Sequence, residues 1–338
     1  MAVDAVGGDH GIPIVVAGAL EARRQHGVTV LLVGPEAGVR SELRAQGGAE
    51  GDGVRVVHAP EVVEMGEKVT RSTLKKRSSM HVGLELVRDG GADAFFSAGN
   101  TAAGWTIAKL TLGSLPEIDR PALAAVMPNL EGKTVLLDAG ANANCKARHL
   151  EEFAVMGDVY SREVLGVASP RVGLMSLGEE DGKGNELTRE VHEVLKSSRL
   201  NYLGNVEGSE IFNGRADVIV TDGFTGNVAL KSNEALAEAI MRLLREELMA
   251  TLPSRLGALM SRAAFRRVQR RIDPSEVGGA PLLGLQGCAV IGHGRSDPRA
   301  IRHGIRTAAE FFTSGVNEKI EDEVQIVRGT PEASAGSQ

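Results

Sequence analysis

The sequence predicts an α/β fold, a Rossmann-like three-layer α/β/α arrangement around a mostly parallel sheet. Short apolar runs bounded by turn residues, such as Val218-Ile219-Val220, read as strands buried on both faces. These runs alternate with stretches whose apolar residues fall at helical spacing, as Leu230, Ala237, Ile240, Leu244 and Leu248 do. Several strands end in small polar residues that open the next helix. Asp222-Gly223-Phe224-Thr225-Gly226-Asn227 does so, and so do Ser97-Ala98-Gly99-Asn100-Thr101 and Asp138-Ala139-Gly140-Ala141-Asn142-Ala143-Asn144.

Taken in order, Met1 to Val6 reads as the first strand, ended by Gly7-Gly8-Asp9-His10-Gly11. Pro13 suits the first turn of a helix running to about Gln25. Val28 to Val33 and Val54 to His58 are the next strands, with a helix around Pro35 to Gln46 between them. This βαβαβ opening carries Gly7-Gly8 but no G-x-G-x-x-G, so it gives no ground for NAD.

Glu61 to Ser79 is polar and gathers Lys68, Arg71, Lys75, Lys76 and Arg77, either as a solvated face or as a rim that attracts an acidic partner or phosphate. A helix from about Met80 to Asp89 leads into the Phe95-Phe96 strand. Pro116 and Pro121 mark a loop, and Ala122 to Met127 and Thr134 to Asp138 are strands. A helix with Cys145, His149, Phe153 and Met156 follows, then a strand from Arg171 to Leu177. The loop Gly178 to Thr188 holds Lys183 among acids, as an exposed loop residue or a cation leaning into a cleft.

Leu252 to Ile272 pairs a stripe of Leu252, Leu256, Leu259 and Met260 with Arg255, Arg262, Arg266, Arg267, Arg270 and Arg271. Such a segment lies on an anionic bilayer, or is an ordinary surface helix pair packed on the body or on a second subunit. Gly278, Gly279 and Gly284 read as close-packing or turn glycines, and Cys288 to Ile291 as the last strand, before a helix from about Asp297 to Phe312. One large domain is expected over residues 1–315, with a frayed tail over 316–338.

Composition narrows the function classes. Aromatic residues are 3% and the net charge is −6, which argues against a nucleic-acid binder. Cys145 and Cys288 stand far apart, without disulfide or metal spacing, and no metal or cofactor is expected. No signal segment and no apolar run of about 18 residues is visible, so the expectation is a soluble cytoplasmic protein. There is no G-x-S-x-G, and a nucleophilic Cys145 is the minor reading. What remains is a cleft along strand ends, lined by backbone donors, amides and hydroxyls. It suits a small oxyanion and a polarised carbonyl.

The blocks Val3-Asp4-Ala5-Val6-Gly7-Gly8-Asp9, Ser97 to Thr101, Leu137 to Asn142, Lys183-Gly184-Asn185-Glu186-Leu187, Gly204-Asn205-Val206-Glu207, Val220 to Asn227, Gly278 to Gly284 and His293-Gly294 closely resemble the bacterial phosphate acyltransferase family PlsX, in order from Met1 to about Phe312. Ser176, Met65-Gly66-Glu67-Lys68 and Arg295 depart from its pattern. The resemblance implies transfer of a fatty acyl group from acyl carrier protein to inorganic phosphate, giving acyl phosphate for phospholipid synthesis. It also implies a fold like isocitrate and isopropylmalate dehydrogenases and phosphate acetyltransferases, and a homodimer. Peripheral membrane contact through Leu252, Leu256, Leu259, Met260, Arg262 and Arg266 is implied as well, with the downstream glycerol-phosphate acyltransferase as a further partner.

On this reading Lys183, Asn227, Asp222 and Asn142 are the catalytic candidates. Asp4, Gly7, Gly8, Asp9, Asn100, Thr101, Asn144, Asn185, Gly223, Thr225, Gly226 and His293 are the phosphate- or substrate-binding ones. Two rivals stand: a membrane-associated scaffold without catalysis, and an NAD-dependent decarboxylating dehydrogenase of the same fold.

Overall fold

The computed structural model describes residues 1–51, 53–272 and 278–329. Eleven strands form one sheet: β1 (Ala2–Asp4), β2 (Val30–Gly34), β3 (Val54–His58), β4 (Ala94–Ser97), β5 (Ala122–Pro128), β6 (Lys133–Leu137), β7 (Val172–Met175), β8 (Tyr202–Val206), β9 (Val218–Val220), β10 (Ala280–Leu283) and β11 (Cys288–Ile291). The order across the sheet is β3-β2-β1-β4-β11-β10-β5-β6-β9-β7-β8. Strands β3 to β11 on one side are mutually parallel, as are β6, β9, β7 and β8 on the other. Between them β10 and β5 pair antiparallel with each other and with their outer neighbours. The two parallel halves therefore run in opposite senses.

Helices cover both faces. On one side lie α1 (Gly11–His26), α2 (Glu36–Ala45), α5 (Ala147–Glu163), α6 (Glu186–Lys196), α11 (Pro298–Thr313) and α12 (Val316–Gly329). On the other lie α3 (Ser79–Arg88), α4 (Thr101–Leu112) and the short α7 (Glu210–Asn213). Strand residues alternate between two aliphatic cores, with Val3 and Phe96 in one and Ala2 and Phe95 in the other.

Three helices stand apart: α8 (Gly223–Ala250), α9 (Leu252–Met260) and α10 (Arg262–Ile272). Beyond Gly226 no residue of α8 is buried, and α9 has no buried residue. Leu252 and Met260 are 78% and 81% exposed, with Leu256 and Leu259 beside them and Arg262 and Arg266 exposed on α10. The side chains of Arg270 and Arg271 lie outside the described residues. The basic segment is two helices, broken at Ser261.

The expected frayed tail is corrected. Val316, Ile320 and Val324 repeat every four residues, are buried, and anchor α12 against α5. Residues 330–338 of that expectation lie outside the described residues.

Candidate active site

The turns after β1, β4 and β11 build one wall of a cleft. Asp4 ends β1 and is 1% exposed; it accepts from the Ser97 hydroxyl at 2.7 Å and from the Val6 N–H at 3.3 Å. Ser97 Oγ in turn accepts from the Gly99 N–H at 3.0 Å. Burial pushes the Asp4 pKa up, opposed by hydrogen bonds from Ser79 and Ser97. Asp4, a candidate phosphate or substrate contact, lies beneath the turns and ties them together. A Cβ on Gly7 would come within 2.7 Å of Asp4 Oδ2, so the turn closes only over glycine. The Asp9 N–H donates to the Gly294 carbonyl at 2.8 Å, joining this turn to the one that holds His293.

Asn100 caps α4, accepting from the Ala103 N–H at 3.1 Å. Its amide nitrogen donates to the carbonyls of Met65 at 3.0 Å and Glu67 at 2.9 Å. The side chain is thus spent on pinning the segment that continues into Lys68 and Arg71, both exposed. Thr101 is exposed beside it, and the first turn of α4 keeps the N–H groups that a helix start leaves over.

The second wall comes from β6, β9 and β7. Buried Asp138 accepts five N–H donors: Leu123, Gly140 and Ala141 on Oδ1 at 3.0 to 3.2 Å, and the backbone and side-chain nitrogens of Asn142 on Oδ2 at 2.6 and 2.9 Å. Burial pushes its pKa up, and the donors pull it back. Every partner donates, so the carboxylate is the form that the turn holds. Asn142 also donates to the Pro121 carbonyl at 2.9 Å, which leaves its amide nitrogen no proton for a substrate.

The start of α8 differs from expectation. Asp222 Oδ1 accepts from the N–H groups of Phe224 and Thr225 at 3.0 and 2.9 Å, and Oδ2 from the Thr225 hydroxyl at 2.8 Å. The Gly223 N–H donates to the Asn142 carbonyl and the Gly226 N–H to the Asp222 carbonyl, at 2.8 and 2.9 Å. All four N–H groups that would have cradled phosphate are engaged within the chain. Gly223 and Gly226 serve instead for close approach, because a Cβ on Gly226 would fall 2.0 Å from the Asp138 carbonyl oxygen.

Asn227 follows on α8 and lies against Gly140; a Cβ there would sit 3.3 Å from Asn227 Oδ1. Asn144 is exposed, and its carbonyl accepts from Arg120 at 2.8 Å. Asn185 caps α6, accepting from the Thr188 N–H at 2.9 Å. Lys183, on the turn before it, is exposed and has no ion pair among the described residues.

Two links join the walls. The Pro121 carbonyl accepts from Asn142 and also from Trp105 Nε1 of α4, at 3.2 Å. Three turns along α8, Glu234 meets His293 Nε2 at 3.1 Å. The Glu234 hydrogen bond raises the His293 pKa above its ordinary 6.5. The structure thus brings together the Gly7–Asp9, Asn100–Thr101, His293, Asn142–Asn144 and Asp222–Asn227 groups, with Lys183 and Asn185 at the end of β7, next to β9.

Asp138 was not among the candidates from sequence. Its signal was a strand-end acid followed by four small or amide residues, whose N–H groups can wrap back onto it. Trp105 and Glu234 gave no such signal, because their partners lie on distant segments.

Residues 1–319 match the family model described as "Fatty acid synthesis protein". A phosphate acyltransferase of Acidobacterium capsulatum is 51% identical over 95% of this chain and 96% of its own. One of Trichlorobacter lovleyi is 47% identical over 96% and 94%. Among solved structures, a phosphotransacetylase from Streptococcus pyogenes aligns with TM-score 0.64 at 18% identity, over 93% of this chain and 94% of that one. A putative 4-hydroxythreonine-4-phosphate dehydrogenase from Salmonella typhimurium aligns with TM-score 0.53 at 14% identity, over 91% and 98%. These structures share the fold: three layers around a large, mostly parallel sheet.

Proposed function

The chain belongs to the fatty acid synthesis protein family, and we propose on that premise that it passes a fatty acyl group from acyl carrier protein to inorganic phosphate. Acyl transfer to phosphate rests on the near full-length likeness to phosphate acyltransferases. The carrier-protein donor is the finer reading. It is supported by the exposed Lys68, Arg71, Lys75 and Arg77, which follow the Met65–Glu67 backbone that Asn100 pins and which suit an acidic protein.

A phosphate oxygen attacks the thioester carbonyl carbon, the carbonyl electrons move onto oxygen, and collapse expels the carrier thiolate, which takes up a proton. Acyl phosphate and free thiol result, with no covalent enzyme intermediate. The observation that carries this reading is the exposed Lys183 ammonium, without an ion pair among the described residues, in the loop after β7, the strand next to β9 and its Asp222–Asn227 turn. Lys183 stabilises the developing oxyanion, and the α4 N–H groups and Asn227 hold phosphate. Phosphate is a competent nucleophile near neutral pH, so positioning supplies most of the rate. Asp4, Asn142, Asp222 and Asn185 fix the turns that bear these groups.

We read residues 1–315, with α12 packed onto them, as one α/β unit related to the isocitrate and isopropylmalate dehydrogenases. The exposed apolar residues of α8, Leu236, Ile240 and Leu243, support a homodimer through that helix. Leu252, Leu256, Leu259 and Met260 with Arg262 and Arg266 support peripheral contact with an anionic bilayer. Among the described residues no helix is long and apolar enough to cross a membrane. A downstream glycerol-phosphate acyltransferase on the same bilayer would take the unstable product directly.

The test is an assay of long-chain acyl carrier protein with inorganic phosphate, acyl phosphate being trapped by hydroxylamine, on wild type and Lys183→Ala. Phosphate-dependent product, lost in the variant, is the expected result. An unimpaired variant removes Lys183 from the chemistry. No product from folded protein with either carrier protein or coenzyme A thioesters, while vesicle binding persists, would favour a scaffold.

A further inference from the structure

We propose that Asn205 is a positioning residue for Lys183, acting through the Glu180 carbonyl at the turn that carries the lysine. The proposal rests on the assignment of Lys183 to the transfer reaction.

Asn205 is one residue from the end of β8, in register with Leu174 of β7, and 2% exposed. Its Nδ2 donates to the Glu180 carbonyl at 3.1 Å. The Lys183 N–H donates to the same oxygen at 2.9 Å. One carbonyl therefore ties a buried strand to the backbone of the lysine. Two ion pairs of this loop lie at the surface, Glu179 with Arg215 at 2.7 Å and Asp181 with Lys196 at 3.1 Å, where water weakens them.

Asn205 Oδ1 has no hydrogen-bond partner among the described residues. A buried amide with an idle oxygen is a costly occupant of a strand, and an aliphatic residue would be easier to bury. What the amide returns is one hydrogen bond, made to the Lys183 turn. Nearby, Gly184 takes a φ of +107°, so the chain after the lysine already follows a constrained path. Fixing the Glu180 oxygen fixes where that path begins.

The experiment is a double-mutant cycle in the hydroxylamine assay: wild type, Asn205→Ala, Lys183→Ala and the double variant, each with a thermal melt. Asn205→Ala should lower kcat about 10-fold, the scale of a small misplacement of a reacting group, with a melt no lower than wild type. The double variant should be no slower than Lys183→Ala alone. Trypsin should cut faster after Lys183 in Asn205→Ala, a readout independent of activity. If the alanine chain fails to fold, Asn205→Val carries the same comparison, since valine suits a buried strand. Wild-type kcat in Asn205→Ala beside a crippled Lys183→Ala overturns the proposal. So does a double variant slowed by the full Asn205 factor, because Asn205 would then act independently of the lysine. Wild-type kcat in Lys183→Ala itself overturns the lysine assignment, and the proposal with it.

Discussion

Trp105 and Asn142 donate to one acceptor, the Pro121 carbonyl oxygen, at 3.2 and 2.9 Å. Trp105 belongs to the helix that follows β4, and Asn142 to the turn that follows β6, so this oxygen pins together two halves of the sheet that run in opposite senses. Asn142 has more to lose, because its amide also serves Asp138. Asn142→Ala should cost about 1–3 kcal/mol, leaving the buried carboxylate one donor short, and Trp105→Phe about 1 kcal/mol from the shared hydrogen bond. Urea unfolding of both variants measures this; equal costs would mean that Asp138 gains little from the Asn142 amide.

Much of the fold is legible in the sequence, and what is hidden has physical causes. The strands β1, β2, β3, β4, β9 and β11 announce themselves as largely apolar runs closed by turn or small residues. Tyr202–Val206 does not, because Gly204 and Asn205 break the pattern, and Pro281 likewise conceals β10. The reversal of sense at β5 and β10 has no local signal at all, since pairing is set by distant segments. In α12 the apolar residues Val316, Ile320 and Val324 are outnumbered by charged ones, so the core-facing stripe is masked by its solvent face. At the site, sequence locates the turns but not which N–H groups remain available. Asp222 reads equally as a ligand residue and as a cap, and only geometry shows it capping α8.

That cap role makes Asp222 testable by two substitutions. Asparagine accepts the same N–H bonds as aspartate, whereas alanine accepts none. Asp222→Asn should keep both stability and most acyl transfer, and Asp222→Ala should lose about 1 kcal/mol in denaturant melts. A stable but inactive Asp222→Asn would assign the carboxylate a proton-accepting role instead.

Gly226 and Gly257 should respond oppositely to alanine. At Gly226 the new methyl would meet the Asp138 carbonyl oxygen at 2.0 Å, and backbone cannot step aside cheaply. About 3 kcal/mol or more of destabilisation is expected. At Gly257, on exposed α9, nothing lies within 4 Å, so alanine should add about 0.5–1 kcal/mol of local helix stability. Thermal melts of Gly226→Ala, with helical content by circular dichroism for Gly257→Ala, separate the two.

His293 and Glu234 give the clasp between α8 and the β11 turn a pH dependence. The pair raises the histidine pKa above 6.5, chiefly through the hydrogen bond, while Arg295 and Lys231 nearby oppose the charge. A raised folded-state value means that its stabilisation is complete below 6.5 and is lost as pH climbs through the raised value. Wild type should therefore lose melting temperature relative to Glu234→Gln between about pH 6 and pH 8. Parallel melting curves across that range would show that the clasp contributes nothing.

Cys145 tests the direct route of transfer. Its thiol lies beside the site, donating to the Asn142 carbonyl at 3.3 Å, but burial, with Asp138 nearby, pushes its pKa up to about 11. At pH 7 about one thiol in ten thousand is then the thiolate that a nucleophile requires. A covalent acyl-enzyme through this residue would have to overcome that deficit, whereas attack by phosphate does not. Cys145→Ala should therefore retain near wild-type acyl phosphate formation, and iodoacetamide should label the wild-type thiol slowly at neutral pH. An acylated Cys145, isolated after incubation with thioester in the absence of phosphate, would replace direct attack with a two-step transfer.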